Sequence, residues 1–121
     1  MSKKNYVLLD KKSIFIDERV KIGENVIIYE NNRIDGASEI GDNVTIYPNS
    51  FIVNSIIGKG TKIYASYIEN SNIGARNIIK PFSYIKKVES DSSVVFLPFS
   101  DIKNQRIKKK DMKTGGGSIS S

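Results

Sequence analysis

The side chains of this 121-residue chain that could carry chemistry are restricted in type. There is no histidine, so the commonest general base near neutral pH and the commonest protein metal ligand are both absent. There is no cysteine either, which excludes disulfides and thiolate metal sites. Asp17, Asp35 and Glu69 occupy one recurring position, where they are most simply solvated turn residues. We therefore predict no catalytic residue, no metal site and no cofactor.

Three tyrosines form the most informative surface pattern. Tyr29, Tyr47 and Tyr64 share one position of a repeat, and Lys80 continues that position. Aromatic side chains stacked along one edge can anchor a subunit interface. The alternative is aromatic packing along a solvated edge. We predict these tyrosines as interface residues between copies of the chain.

Basic residues are concentrated near the C-terminus. The formal net charge is +6, and residues 100–121 hold six basic against two acidic side chains. The cluster Lys108-Lys109-Lys110 could contact nucleic acid or anionic lipid. No aromatic residue is interleaved with it, so a solubilising tail is the preferred interpretation, and we do not expect a nucleic-acid partner.

The residues above are positioned by a ladder of isoleucines that extends from Ile16 to Ile85. Its members lie five or six residues apart, at 16, 22, 28, 34, 40, 46, 52, 57, 63, 68, 73, 79 and 85. Six residues on a helix would turn the side chain by roughly 240°, so the isoleucines could not share a helical face. In extended chain, a spacing of six keeps every isoleucine on the same side. The ladder therefore predicts short strands separated by corners.

The neighbouring positions indicate three strands in each turn of the chain. Four residues after most of these isoleucines comes a small or short residue: Val20, Val26, Asn32, Ser38, Val44, Ser50, Thr61, Asn77 or Ser83. The position just after each isoleucine separates into three columns, one of which is Gly23, Gly41, Gly58 and Gly74. We attribute these glycines to corners that need positive φ. The pattern predicts a triangular parallel β-solenoid of about four coils, each contacting only its neighbours.

The composition suggests where the solenoid begins and ends. We predict an N-terminal lead-in or cap at residues 1–15, in which Tyr6 to Leu9 cover the open end of the first coil. Residues 16–87 form the repeat, residues 88–99 a C-terminal cap and residues 100–121 a basic flexible tail, with the possibility of a short helix up to Met112. The run Val7-Leu8-Leu9 is stopped by Asp10, too early for a signal peptide or membrane span. We therefore expect a cytoplasmic protein.

Several runs resemble the left-handed β-helix of a known enzyme family, the bifunctional UDP-N-acetylglucosamine pyrophosphorylase and glucosamine-1-phosphate N-acetyltransferase. The runs that carry the resemblance are Ile52–Gly60, Tyr67–Gly74 and Lys80–Ile85, preceded by Phe15-Ile16-Asp17, Val20–Gly23 and Ile46–Asn49. It covers roughly residues 6–87 and implies an all-β fold, the left-handed parallel β-helix of hexapeptide repeats. It also implies a homotrimer with parallel solenoid axes.

The resemblance also bears on the active site. In the family, further coils after the Pro-Phe motif supply the catalytic histidine, asparagines and basic residues, and nothing in this chain matches those coils. The family has a substrate-contacting arginine after that motif, and the matching residue here is Lys86, a candidate substrate contact. Lysine keeps the charge but loses the planar, two-pronged donor set.

Two functions remain open at this point. The first is a trimeric structural or assembly module without a complete active site, self-associating or completed by a partner chain. The second is a reduced acyltransferase or sugar-nucleotide transferase subunit that binds acetyl-CoA or a sugar phosphate at inter-subunit clefts through Lys86. A basic-tailed adaptor is a third and weaker interpretation.

Overall fold

The walls of the molecule are short parallel strands. The computed structural model describes residues 6–109. A single turn of 3-10 helix lies at Lys11–Ser13. The strands are β1 (Tyr6–Leu8), β2 (Phe15–Ile16), β3 (Lys21–Ile22), β4 (Val26–Ile28), β5 (Arg33–Asp35), β6 (Glu39–Ile40), β7 (Thr45–Ile46), β8 (Phe51–Val53), β9 (Ile56–Ile57), β10 (Lys62–Ile63), β11 (Tyr67–Glu69), β12 (Asn72–Ile73), β13 (Ile78–Ile79), β14 (Tyr84–Ser90), β15 (Val95–Phe96) and β16 (Asp101–Ile107).

Every pairing between these strands is parallel and joins one coil to the next. Face 1 is the stack β1, β4, β7, β10, β13 and β15. Face 2 is β2, β5, β8, β11 and the first halves of β14 and β16, and face 3 is β3, β6, β9, β12 and the second halves of β14 and β16. Because each of the three faces is six strands high, the chain makes about six coils.

The isoleucine ladder forms the core. From Ile28 upward every predicted member is buried, with exposed fractions of at most 2%. The register explains this, since Ile34 pairs with Ile52, Ile52 with Ile68 and Ile68 with Ile85 in adjacent strands of face 2. Identical branched side chains thus stack directly over one another and fill the triangular interior. The predicted inward orientation of the ladder is confirmed.

The small inner residues have a second role that their size alone does not indicate. The hydroxyl of Ser38 accepts a hydrogen bond from the amide of Ser55, one coil further, at 3.0 Å. The hydroxyl of Ser55 accepts from the amide of Ser71 at 3.1 Å, and that of Ser71 from the amide of Val88 at 3.0 Å. Short polar side chains therefore satisfy the amides beside the corners, where the sheet hydrogen bonds are interrupted.

The glycine column has a different cause from the one predicted. Gly23, Gly41, Gly58 and Gly74 do not have positive φ. Within residues 6–109, the glycines with positive φ are Gly36 and Gly60. A Cβ on Gly58 would lie 2.5 Å from the carbonyl carbon of Gly74, and one on Gly74 would lie 2.6 Å from the carbonyl carbon of Asp91. The column is glycine because successive coils approach too closely at this corner to leave room for a side chain.

The left-handed backbone conformation is instead supplied mainly by asparagine. The residues other than glycine with positive φ are Asn25, Asn31, Asn43, Asn49, Asn54, Ala65, Asn70, Arg76, Phe82, Lys87, Ser93, Phe99 and Asn104. They recur at the corners between successive strands. Asparagine tolerates this conformation better than other residues with a Cβ, which explains why it dominates the corners.

The solenoid is longer than predicted at both ends. Face 1 already begins with β1, whose Leu8 pairs with Ile28 of β4, so Tyr6–Leu8 form a wall of the first coil and do not cover its end. At the other end, β15 pairs with β13 and β16 pairs with β14 over most of its length. Residues 88–107, predicted as a cap and the start of a flexible tail or helix, therefore continue the repeat. The rest of the predicted tail, from residue 110, lies outside the described residues.

Candidate interaction surface

The predicted tyrosine column exists on face 1. Tyr29, Tyr47 and Tyr64 each follow the last buried isoleucine of a face 1 strand and project outward, half-buried against one another. Their rings stack, with centroids 5.1 Å apart between Tyr29 and Tyr47 and 4.2 Å apart between Tyr47 and Tyr64. Parallel in-register pairing produces this stack, because it places equivalent residues of successive coils directly above one another.

The electrostatics of the column are those of neutral rings. Burial raises the pKa of the Tyr47 hydroxyl above its usual value, and hydrogen bonding with Tyr64 adds to the effect. The hydroxyl therefore stays protonated at neutral pH and can donate a hydrogen bond. Around the column, Val7, Leu9 and Ile27 are also exposed on face 1. Face 1 thus presents a mostly uncharged aromatic and aliphatic surface over its lower coils.

A second aromatic column on face 2 was missed by the sequence analysis. Its members are Phe15, Arg33, Phe51, Tyr67 and Tyr84, one from each of the first five coils. The guanidinium carbon of Arg33 lies 4.4 Å from the ring centroid of Phe15 and 5.7 Å from that of Phe51. Phe51 meets Tyr67 edge-on at 5.4 Å, and Tyr67 stacks on Tyr84 at 5.1 Å. The signal lies one position before each isoleucine, whereas the sequence analysis compares the positions one and four residues after it.

A third aromatic contact lies at the corner between faces 1 and 2. Phe82 and Phe99 each follow a proline, and their rings stack with centroids 5.4 Å apart. They are 62% and 69% exposed, and both have positive φ, at 66° and 64°. A bulky residue with positive φ is strained, and an exposed phenylalanine gains little from folding. Two such costs at one place mark this corner as a candidate contact with another molecule.

The acidic column resolves into local pairs. Arg19 donates to the Asp17 carboxylate at 2.9 Å, which holds the pKa of Asp17 well below its usual value. Arg33 donates to Asp35, also at 2.9 Å. The Tyr67 hydroxyl donates to Glu69 at 2.7 Å, which raises the pKa of Tyr67 to about 12. Each carboxylate is therefore bound by a neighbouring side chain. The prediction of turn residues is wrong for Asp35 and Glu69, which are the last residues of β5 and β11, whereas Asp17 follows β2.

The predicted substrate contact lies on face 2. Lys86 is half-buried on β14, and the register places it between Glu69 of β11 and Lys103 of β16. Lys103 carries an ion pair with Asp101 at 3.2 Å, and its ammonium lies 5.5 Å from the ring centroid of Tyr84. Two adjacent lysines beside an aromatic ring could hold an anionic group. The role of Lys86 in binding a substrate stays a prediction.

A groove lies elsewhere, where faces 2 and 3 meet. It has a volume of about 560 Å³, and Asn54, Asn70, Asn72, Lys87 and Gln105 are among its lining residues. Arg106 at its edge is committed to Glu89 at 3.5 Å and Asp91 at 2.9 Å. Within residues 6–109 there is no cluster of three or more acidic side chains that could hold a metal ion. No helix in this described range is long and apolar enough to cross a membrane.

Fold and repeat together define a class, the proteins built as a parallel β-solenoid of hexapeptide repeats. The chain matches the model of the bacterial transferase hexapeptide (six repeats) over residues 19–54. Hexapeptide repeats of this kind form the left-handed β-helix, so the predicted fold class is confirmed, with six coils in place of about four.

Comparison with curated proteins gives the same result over a longer stretch. The chain is 46% identical over 79 residues to the bifunctional protein GlmU of Clostridium beijerinckii, which covers 65% of this chain and 17% of that protein. It is 34% identical over 102 residues to GlmU of Clostridioides difficile, covering 84% of this chain and 22% of the relative. The match to GlmU of Synechococcus elongatus is 42% identical over 79 residues. The chain belongs to the GlmU-like hexapeptide-repeat proteins, as the resemblance implied.

The matches cover most of this chain but only a small part of each relative. The chain spans about a fifth of the length of the curated relatives that it matches, with shares between 17% and 23%. Any activity, substrate or partner of those relatives is therefore a proposal for this chain.

Proposed function

We propose that this chain is a cytoplasmic assembly module related to the acetyltransferase half of GlmU-like proteins, and that it forms a homotrimer through its aromatic columns. The observation that carries the proposal is the outward tyrosine stack of face 1, flanked by the exposed Val7, Leu9 and Ile27. Uncharged aromatic surface of this kind is characteristic of the centre of protein interfaces. A closed threefold arrangement would bury it in every subunit.

The chemistry of the chain favours assembly over catalysis. Acyl transfer to an amine requires a base that accepts a proton. The chain contains no histidine, and the carboxylates of Asp17, Asp35 and Glu69 are each hydrogen-bonded to a neighbouring side chain. We propose that a partner chain supplies whatever further catalytic groups the assembly uses.

Native mass spectrometry and sedimentation equilibrium test the trimer. We expect three times the chain mass for the wild type and a shift toward monomer for Tyr47→Ala. Tyr47→Phe keeps the ring and should keep the trimer, and Glu39→Ala, an exposed residue of face 3, is the control. A wild type that stays monomeric at micromolar concentration, or a trimer that Tyr47→Ala leaves intact, would overturn this assignment.

A second candidate function rests on Lys86 and Lys103. Their Cα positions pair in adjacent strands, and the Lys103 ammonium lies near the Tyr84 ring, so the three side chains offer charge and a stacking surface for an anionic ligand. This is the binding of acetyl-CoA or a sugar phosphate at an inter-subunit cleft. Titration calorimetry with acetyl-CoA and glucosamine 1-phosphate tests it. Binding that Lys86→Ala abolishes, and that Lys59→Ala retains, would favour this function over the module.

A further inference from the structure

The lower end of the solenoid leaves its core uncovered. The inner side chains of the first coil are only partly buried, whereas the equivalent residues one coil above, Ile28, Ile34 and Ile40, are at most 2% exposed. The partly buried set is Tyr6, Leu8, Ile14, Ile16, Val20 and Ile22. Together with Lys11, Asp17 and Glu18, they line an open hollow of about 460 Å³. The hollow is an apolar floor with a charged rim.

The backbone at this end is also incompletely paired. β1, β2 and β3 each lie at the end of a strand order, so each has one edge without a strand neighbour among residues 6–109. Free edges are sites where a further strand can add. At the upper end, β15 and β16 also have a free edge, but the inner residues Phe96, Ile102 and Ile107 are fully buried. The partly exposed core is therefore specific to the lower end.

The chemistry of this end favours one occupant. The rim carries both charges, with Lys11 at the corner between faces 1 and 2 and with Asp17 and Glu18 at the corner between faces 2 and 3. The Asp17 carboxylate already forms an ion pair with Arg19, whereas Glu18 makes no ion pair within the described part of the chain.

A twofold axis converts this arrangement into a self-complementary one. The axis lies in the plane of the open end, perpendicular to the solenoid axis, and passes through the middle of β2. Rotation by half a turn about it exchanges the two corners that flank face 2. Lys11 of one copy then faces Glu18 of the other, and the reverse pair forms at the same time. The same axis places the free edge of β2 antiparallel to its counterpart and closes one apolar floor on the other.

We propose that the open lower end binds the same end of a second copy of this chain, head to head about that axis. One coil end is small compared with the roughly 800 Å² that each partner buries in a standard interface. The association is therefore weak for single chains, and it is strengthened by multivalency if several ends in one assembly dock together. It doubles whatever unit face 1 forms, trimer to hexamer or monomer to dimer.

Charge exchange tests the geometry without disturbing the core, because Lys11 and Glu18 are both exposed. Sedimentation velocity over a range of concentrations should show wild-type chain doubling in mass. Lys11→Glu and Glu18→Lys should each weaken doubling by about tenfold or more, since each places like charges opposite one another twice. The double variant Lys11→Glu/Glu18→Lys should restore it.

The outcomes separate this inference from the proposed trimer. Doubling of a monomer would contradict the trimer and support the end contact, whereas a trimer that never doubles would do the opposite. Doubling that both single charge variants leave unchanged would overturn the head-to-head pairing. Wild-type chain that shows no doubling at the highest soluble concentration would also overturn it.

Discussion

On the inner side of face 2, equivalent positions of successive coils carry the same residue, whereas on its outer side they differ from coil to coil. The inner column of face 2 is isoleucine in successive coils, at Ile52, Ile68 and Ile85. The outer column one position earlier consists of Phe51, Tyr67 and Tyr84, with Arg33 one coil below Phe51. The interior must satisfy the same packing in every coil, so it repeats. The outer faces are free of that requirement, so what varies there reflects contacts that the fold itself does not need.

The substitution with the largest expected effect on stability lies where two successive coils approach each other closely. Gly58→Ala would place a methyl group 2.5 Å from the carbonyl carbon of Gly74, and both groups belong to backbone that cannot rotate away. We expect the free energy of unfolding to fall by about 3 kcal/mol, the upper end of the usual cost of overpacking. Urea unfolding followed by circular dichroism measures it.

Gly60→Asn is the matched control for that substitution. Gly60 has a φ of 73°, and the nearest atom to an added Cβ is the flexible Arg76 Cγ at 3.0 Å. Asparagine adopts this conformation at Asn43, and we expect a cost of about 0.5 kcal/mol or less. Equal losses for the two variants would show that close coil contact is not the reason for the glycine column.

The second interior test concerns a buried polar pair. The Asn77 side chain donates to the Ser90 hydroxyl at 2.7 Å and accepts from the Val94 amide at 2.7 Å. Asn77→Ala leaves both groups buried without this partner, and we expect a loss of about 2 kcal/mol. Asn72→Ala, at an exposed position of face 3, should change stability by less than about 0.5 kcal/mol. Thermal or urea unfolding of the two variants in parallel decides the matter, and similar losses would argue against a distinct interior.

Ser90 also explains how much of the fold could be predicted from the sequence. The ladder from Ile16 to Ile85 fixed three faces and the inward side of each strand. The sequence predicts its end at Ile85, because the next two inner positions are Ser90 and Phe96 and no longer isoleucine. In the structure, Ser90 is buried in a hydrogen bond with Asn77, and Phe96 is a larger residue of the same core. A break in residue type was thus mistaken for a break in the fold.

The surface was less predictable for a physical reason. Tyr29, Tyr47 and Tyr64 were found because one residue type repeats, and the structure stacks them. The face 2 column mixes phenylalanine, arginine and tyrosine, which are equivalent only when cation–π and stacking contacts are considered together. The glycine column was located correctly, but its cause was wrong, because proximity between coils cannot be read from one coil alone.

On the outer surface, we expect a substitution of Phe82 to stabilise the folded chain, unlike the interior substitutions above. Its φ of 66° and its 62% exposure are both unfavourable, and Asn49 occupies the equivalent corner two coils below. Phe82→Asn should raise the free energy of unfolding by about 0.5 kcal/mol, since relief of strain exceeds the loss of one exposed ring contact. Sedimentation of the same variant should show weaker assembly. A variant that loses stability as a monomer would place Phe82 with the interior residues, as a structural contributor.

A pH dependence on face 2 provides a further test of the outer surface. The Tyr67 hydroxyl donates to Glu69 at 2.7 Å, and its pKa is raised from 10.0 to about 12. Because the folded pKa lies above the unfolded one, the stabilisation is fully present below about pH 10 and is lost as the pH rises toward about 12. Both groups are near the surface, so we expect a loss of less than about 1 kcal/mol. Urea unfolding across this range should show it in the wild type, while Tyr67→Phe, which cannot ionise, should lack this component. The same slope in both proteins would assign the pH dependence to groups other than Tyr67.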